Sequence, residues 1–170
     1  MSLTASIIEP VPHQTAQVAR AAFPKGNLYL SMRDELGTLF EDHDFTELFS
    51  RRGYPAVTPW RLALITIMQF LENLSDRQAA EAVRSRIDWK YLLGLELTDC
   101  GFDYSVLSGF RSRLVGGEKQ TLLLDHLLER FREKKLLRSC LKTHKGFNRR
   151  SINRIIAIWI RVSLVFVNRS

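Results

Sequence analysis

Hydroxyl-bearing and cationic residues recur on one predicted helix near the middle of the chain, and the candidates among them are Ser105, Ser108, Arg111 and Arg113. Hydroxyl and guanidinium groups reach base edges and phosphates when such a helix enters the major groove of DNA. Further candidates of this kind lie earlier in the sequence: Arg77, Gln78, Arg84, Arg86 and Lys90. Arginines on short helices more often form a solvated face, and spacing alone does not distinguish such a face from a DNA contact.

Acidic pairs offer a second chemistry, the binding of a divalent cation. Asp42 and Asp44 are close in sequence, as are Glu96, Asp99 and Asp103, and Mg²⁺ prefers carboxylate ligands. No Gly-rich phosphate loop and no nucleophile–base set accompanies them. The histidines are dispersed and the two cysteines form no CxxC pair, which suits a reducing compartment. We expect no catalytic residue, no metal site and no cofactor in this chain.

The net charge of +7 is unevenly distributed. Residues 1–133 hold all 18 acidic residues and 15 of the 25 basic ones, a net charge of −3. Residues 134–170 hold ten basic residues and no acidic one. The overall charge therefore says little about the main body, and the two parts need separate interpretation.

Hydrophobic periodicity predicts helices throughout the main body. Residues 1–30 contain three prolines and suit an extended N-terminal arm, with one or two helical turns around Thr15–Phe23. From Ser31 apolar residues recur at helical spacing, with Asp34 in the first turn, where the helix dipole favours acids. A second short helix is expected around Phe45.

A central core helix is predicted to begin at Thr58 and Pro59. Thr58 suits the capping position and Pro59 the first helical position, where its missing N–H costs nothing. The sequence that follows, WRLALITIMQFLEN, is apolar except for a thin polar stripe at Thr66, Gln69 and Asn73. Such a helix is buried on most sides.

Two further helices frame the candidate residues. Ser75 and Gln78 form a capping box for the first, and Gly94 suits a later C-cap. The exposed residues of the first helix are predicted to be Arg77, Glu81, Arg84 and Arg86. The second helix begins at Tyr104 and Ser105, and its inward residues are predicted to be Val106, Leu107, Phe110 and Leu114. Its predicted outer residues are Ser108, Arg111, Ser112 and Arg113. Because residues 87–103 intervene, an extended or winged helix-turn-helix and a bundle that merely resembles one both stay open.

A last amphipathic helix is predicted from about Lys119 to Leu137, with four apolar residues at helical spacing: Leu124, Leu127, Leu128 and Phe131. Beyond it, the apolar stretch Ile155–Val167 is too short for a membrane span and carries a central Arg161. Disorder and misfolding of this basic tail both stay open.

The segment from Gly53 to Leu114 resembles the N-terminal domain of DDE-type transposases from bacterial insertion sequences, and the resemblance extends over about residues 19–137. The resemblance rests on the motifs LSDRQ, IDWK and LGL. It rests also on a later pattern in which Asp, Ser and Leu are followed by FRSRL. The matching residues are Gly53, Pro55, Pro59, Leu74 to Gln78, Ile87 to Lys90, Leu93 to Leu95, Asp103, Ser105, Leu107, Phe110, Arg111, Arg113 and Leu114. Gly109 departs from the family, which usually carries a larger residue there.

The resemblance implies recognition of the inverted-repeat ends of a mobile element and pairing of transposase subunits. It also implies a following ribonuclease-H-like core, in which three acids hold Mg²⁺ for strand cleavage. The corresponding stretch Ser139–Ser151 contains no Asp or Glu, and nothing acidic follows it. Our hypothesis is that the gene is disrupted and that the tail is translated out of frame; a regulated short product stays open.

We therefore predict an all-α, multi-helix bundle with a helix-turn-helix-like DNA-binding element and a basic C-terminal tail. The predicted parts are an arm (1–30), a DNA-binding domain (31–137) and the tail (138–170). The chain is interpreted as a truncated transposase that binds inverted-repeat DNA without cleaving it, in the cytoplasm at the nucleoid and not at a membrane. Two alternatives stay open: a module that dimerises with and inhibits intact transposase, and a non-functional relic.

Overall fold

Every regular element in the described part of the chain is helical. The computed structural model describes residues 10–37, 40–48 and 57–116, and no strand occurs within these ranges. The elements are α1 (His13–Ala22), α2 (Leu28–Leu36), a 3₁₀ helix (Asp42–Leu48), α3 (Pro59–Glu72), α4 (Asp76–Ser85), α5 (Ile87–Leu93) and α6 (Ser105–Gly116). The all-helical prediction is confirmed for these residues. The predicted helix Lys119–Leu137 and the tail lie outside them.

Helix α3 lies at the centre of the core. Pro59 occupies its first position as predicted, but the Thr58 side chain makes no capping hydrogen bond. Its buried residues are Pro59, Trp60, Leu62, Ala63, Leu64, Ile65, Thr66, Met68 and Gln69. This confirms a helix buried on most sides, and the polar stripe at Thr66 and Gln69 is buried as well. The Thr66 hydroxyl donates to the Leu62 carbonyl at 2.8 Å, which satisfies it within the helix.

The N-terminal segment is folded onto α5. Helix α1 has ten residues, more than the one or two turns predicted, and both α1 and α2 pack against α5. Thr15 is buried, and its hydroxyl donates to the Leu95 carbonyl at 2.8 Å. The helical turns predicted around Thr15–Phe23 are therefore confirmed, as a longer helix at His13–Ala22 with one side buried by long-range contacts. The domain boundary at residue 30 stays a prediction.

Helix α2 begins three residues before the predicted start at Ser31. The reason is a cap, since the Asn27 side chain accepts a hydrogen bond from the Leu30 N–H at 2.9 Å. Asp34 thereby lies in the last turn and not in the first, which corrects the prediction. Its carboxylate accepts a hydrogen bond from the Tyr91 hydroxyl at 2.6 Å, so a tertiary partner accounts for its position.

Three buried phenylalanines connect the 3₁₀ helix to α6. The ring centroid of Phe45 lies 6.0 Å from that of Phe40 and 5.8 Å from that of Phe110. All three rings are buried. A short helix around Phe45 is thus confirmed, as a 3₁₀ helix. Over the described ranges, no helix has the length and apolar character that crossing a bilayer requires.

Candidate nucleic-acid interface

Helices α4 and α6 pack against each other and against α3. The capping box predicted for α4 is present: the Ser75 N–H donates to Gln78 Oε1 at 2.9 Å, and the Gln78 N–H donates to Ser75 Oγ at 3.4 Å. Helix α6 buries Leu107, Phe110 and Leu114, as predicted, whereas the fourth predicted inward residue, Val106, is only partly buried. Helix α5 and the loop after it separate the two helices in sequence. A helix-turn-helix-like element therefore stays a prediction.

Arg111 joins α6 to α4 and α3. Its Nη2 donates to Asp76 Oδ2 at 2.6 Å, and its Nη1 donates to Gln69 Oε1 at 3.3 Å. Gln69 Nε2 in turn donates to Asp76 Oδ1 at 2.7 Å. The hydrogen bond from Arg111 is the main reason that the pKa of Asp76 lies below its usual value. The predicted outward position of Arg111 is corrected, because only 24% of its side chain is exposed.

Arg86 is bound by two carboxylates at the start of α5. It pairs with Glu72, and its Nη2 lies 2.7 Å from Asp88 Oδ2. Its guanidinium also lies over the rings of Tyr29 and Trp89, at 5.7 and 5.3 Å from their centroids. We call these five residues the Arg86 cluster. The predicted exposure of Arg86 is corrected, because 35% of its side chain is exposed and its charge is paired.

The pKa of Glu72 reflects this cluster. Burial acts to raise the pKa, but hydrogen bonds from Arg86 and Tyr29 outweigh burial, so the pKa lies below its usual value. The Trp89 indole N–H is a further donor to this carboxylate, at 3.3 Å. Glu72 is thus held ionised by its neighbours.

Lys90 is enclosed by the loop that follows α5. The residue is only 4% exposed, and its Nζ donates to the carbonyls of Glu96, Leu97 and Asp99 at 3.3, 2.9 and 2.6 Å. A buried ammonium requires such partners, because the desolvation of an unpaired charge is costly. A contact between Lys90 and DNA would require breaking these hydrogen bonds.

Arg77 lies on the outer side of α4 in its first turn. Its guanidinium carbon is 4.9 Å from the ring centroid of Tyr104, and its Nη2 is 3.5 Å from the Tyr104 hydroxyl. Tyr104 is 41% exposed and directly precedes α6. Within the described residues Arg77 has no carboxylate partner. An exposed guanidinium that is not neutralised is suited to phosphate binding.

Arg84 lies about two turns further along α4. Its Nε donates to the Cys100 carbonyl at 3.1 Å, and its Nη1 donates to Glu81 Oε2 at 3.3 Å. More than half of its side chain, 55%, is exposed. An exposed ion pair of this kind contributes little to stability, so a phosphate can compete with Glu81 for the guanidinium.

The outer side of α6 is polar and made of small side chains. Ser105, Ser108 and Ser112 are exposed, and among the described residues a Cβ at Gly109 would meet no neighbouring side chain within 4 Å. The Ser112 hydroxyl donates to the Ser108 carbonyl at 3.0 Å. Arg113 is half-buried. This side of the helix therefore lies open to close approach by a large ligand.

Acidic residues considered as metal ligands bind backbone N–H groups. Asp99 Oδ1 accepts from the Gly101 N–H at 2.8 Å, and Asp103 Oδ1 accepts from the Ser105 N–H at 2.9 Å. Hydrogen bonds from Ser105, first that of its side chain, hold the pKa of Asp103 below its usual value. In the part of the chain that the structure describes, no three His, Cys, Asp or Glu residues are grouped to hold a metal ion.

The structure thus divides the nine candidate residues. Those bound within the fold are Arg86, Lys90 and Arg111. Those on the outer side are Arg77, Gln78, Arg84, Ser105 and Ser108, which together with Tyr104 we call the α4–α6 face. The ninth candidate, Arg113, was predicted to lie on the outer side of α6, but it is half-buried and is not part of this face. Sequence reasoning used Tyr104 only to mark the start of a helix. Its position, as an aromatic residue directly before a polar, basic helix, was the sequence signal that could have placed Tyr104 on this face.

Comparison with known proteins identifies the family. Residues 17–113 match the model of a family described as Transposase domain (DUF772). This match covers more than half of the chain. The chain belongs to this transposase-domain family. No curated protein and no solved structure gives a significant match.

The transposase domain runs from within α1 to within α6. It contains both the Arg86 cluster and the α4–α6 face. The chain therefore carries a transposase-related region of a mobile element.

Proposed function

We propose that this transposase domain binds double-stranded DNA at the inverted-repeat ends of a bacterial insertion sequence, through the α4–α6 face. The observation that carries the proposal is Arg77, an exposed guanidinium with no carboxylate partner among the described residues. Charge-assisted hydrogen bonds from such a group to phosphate are strong. The exposed Ser105 and Ser108 lie on α6, where small hydroxyl side chains allow close approach to base edges.

The proposal assigns DNA recognition, and not strand cleavage, to this chain. Resemblance to DDE-type transposases implies three metal-binding acids in a core that follows the helical domain. Residues 134–170 contain no Asp or Glu and so supply none of these carboxylates. We therefore propose that these 170 residues bind DNA at the nucleoid without a need for Mg²⁺.

Fluorescence anisotropy with short duplexes tiled across the DNA on both sides of the gene tests this function. We expect a duplex from each element end to bind more tightly than its shuffled counterpart. Affinity should fall steeply with salt, because phosphate contacts release counterions. The double variant R77A/R84A should bind more weakly, with a salt slope shallower by about two.

The matched control is R20A. Arg20 is also exposed, but it lies on α1 and contacts Asp34 and Tyr91. We expect R20A to bind as the wild type does. Equal affinity for end duplexes and shuffled duplexes would refute end recognition, and absence of binding at low salt would refute DNA binding altogether.

A further inference from the structure

Among the described residues, Tyr104 is the aromatic one of three large hydrophobic residues that are exposed to solvent. Its ring lies under the Arg77 guanidinium, at 4.9 Å from centroid to guanidinium carbon. The hydroxyl contact at 3.5 Å is at the long limit for a hydrogen bond. The attraction between cation and ring face is therefore the main contact between these two side chains.

This contact connects the first turn of α4 to the residue before α6. Arg77 belongs to α4, and the Leu107 N–H donates to the Tyr104 carbonyl at 3.2 Å, so Tyr104 is fixed to the first turn of α6. The Arg77 guanidinium is thus held against the residue that directly precedes Ser105. Without the ring, a long arginine side chain on an exposed helix turn would sample several rotamers.

A ring beneath a guanidinium orders the cation without neutralising it. The Tyr104 hydroxyl is the single oxygen acceptor that the described residues provide to Arg77, whereas a guanidinium has five N–H donors. The remaining donors are available to a phosphate. Arg84 differs, because its Nε already donates to the Cys100 carbonyl and its Nη1 to the Glu81 carboxylate, which partly neutralises its charge.

We infer that Tyr104 is a positioning residue that preorganises Arg77 for a DNA phosphate, so that the phosphate-binding site is built jointly by α4 and the start of α6. This inference rests on the proposed function. Preorganisation improves affinity because less side-chain freedom is lost when the phosphate binds. The role belongs to the ring of Tyr104 and acts through Arg77.

The test is a double-mutant cycle on the tightest-binding end duplex, with R77M, Y104L and R77M/Y104L measured over a range of salt concentrations. Y104F is the conservative control, because it keeps the ring and loses the hydroxyl. We expect Y104L to weaken binding by about 2- to 5-fold, and Y104F to bind as the wild type does. R77M should weaken binding further and lower the salt slope by about one. The double variant should bind as R77M does, because Tyr104 acts through Arg77.

Two results would overturn the inference while the proposed function survives. In one, Y104L binds the end duplex as tightly as the wild type. In the other, Y104L weakens binding equally with and without Arg77, which would mean that the ring touches DNA by itself. Failure of the wild type to bind any duplex would refute the inference together with the proposed function. Circular dichroism melting of each variant separates loss of binding from loss of fold.

Discussion

Among the arginines that lie over aromatic rings in the described residues, Arg86 and Arg77 have different neighbours. In the Arg86 cluster the guanidinium lies 5.3 Å from the Trp89 ring centroid and is paired with Glu72 and Asp88. On the α4–α6 face the Arg77 guanidinium lies 4.9 Å from the Tyr104 ring centroid, and the described residues give it no carboxylate. The aromatic contact is common to both, and the carboxylates are the difference.

This difference decides what each arginine can do. The carboxylates of Glu72 in α3 and Asp88 in α5 both pair with Arg86. Arg86 therefore joins the two helices and stabilises the fold. A ring satisfies no charge, so Arg77 keeps its attraction for an external anion. The same contrast separates Arg111, which is bound by Asp76, from its exposed neighbours.

The largest effect expected from this comparison is on stability. Arg86→Met leaves Glu72 and Asp88 without their cation, and we expect the free energy of unfolding to fall by about 2–3 kcal/mol, less than for a fully buried pair because part of Arg86 is exposed. The matched variant Arg77→Met should change it by no more than about 0.5 kcal/mol. Urea denaturation followed by circular dichroism measures both values.

Equal destabilisation by the two variants would break the comparison, because Arg77 would then be part of the fold in the same sense as Arg86. The same would follow if Arg86→Met left stability unchanged. A difference in the expected direction separates a paired cation from one that is held in place by a ring.

A smaller loss of stability is expected when the protein is acidified, since Asp76 and Glu72 both have pKa values below their usual ones. A carboxylate with a lowered folded-state pKa contributes stability that is present above its unfolded pKa and is lost as pH falls through the folded value. We therefore expect the free energy of unfolding to fall below about pH 4. Urea denaturation at a series of pH values measures this loss.

The variants Asp76→Asn and Glu72→Gln show how much of the stability lost at low pH comes from each of the two regions. Each removes one titrating carboxylate, so each should make the acid loss shallower than in the wild type. Asp76→Asn reports on the network that holds α4 to α6, and Glu72→Gln reports on the Arg86 cluster. An unchanged pH profile in both variants would show that neither ion pair contributes to stability.

Local features of the fold were predictable from the sequence. The Ser75–Gln78 capping box and the inward residues of α6 depend on spacing within a few residues. The start of α2 was missed because the Asn27 cap was not recognised. The packing of α1 depends on contacts such as that between Thr15 and Leu95, which are distant in sequence.

The division of the basic residues was not predictable in the same way. Arg111 binds Asp76, which lies 35 positions away in the sequence. Lys90 binds carbonyl groups of a loop whose shape no local sequence pattern specifies. Whether a basic side chain faces DNA or the fold depends on such distant acceptors. Sequence spacing therefore assigned Arg86, Lys90 and Arg111 to the same group as Arg77.

The most direct test of the account is an NMR titration of the 170-residue protein with the end duplex that binds most tightly. The account predicts that backbone amide shifts change most over residues 76–85 and 103–112, in α4 and at the start of α6. Amides around the Arg86 cluster and in α1 should change little. Large changes confined to α1, α2 and α5, with the α4–α6 face unaltered, would contradict it.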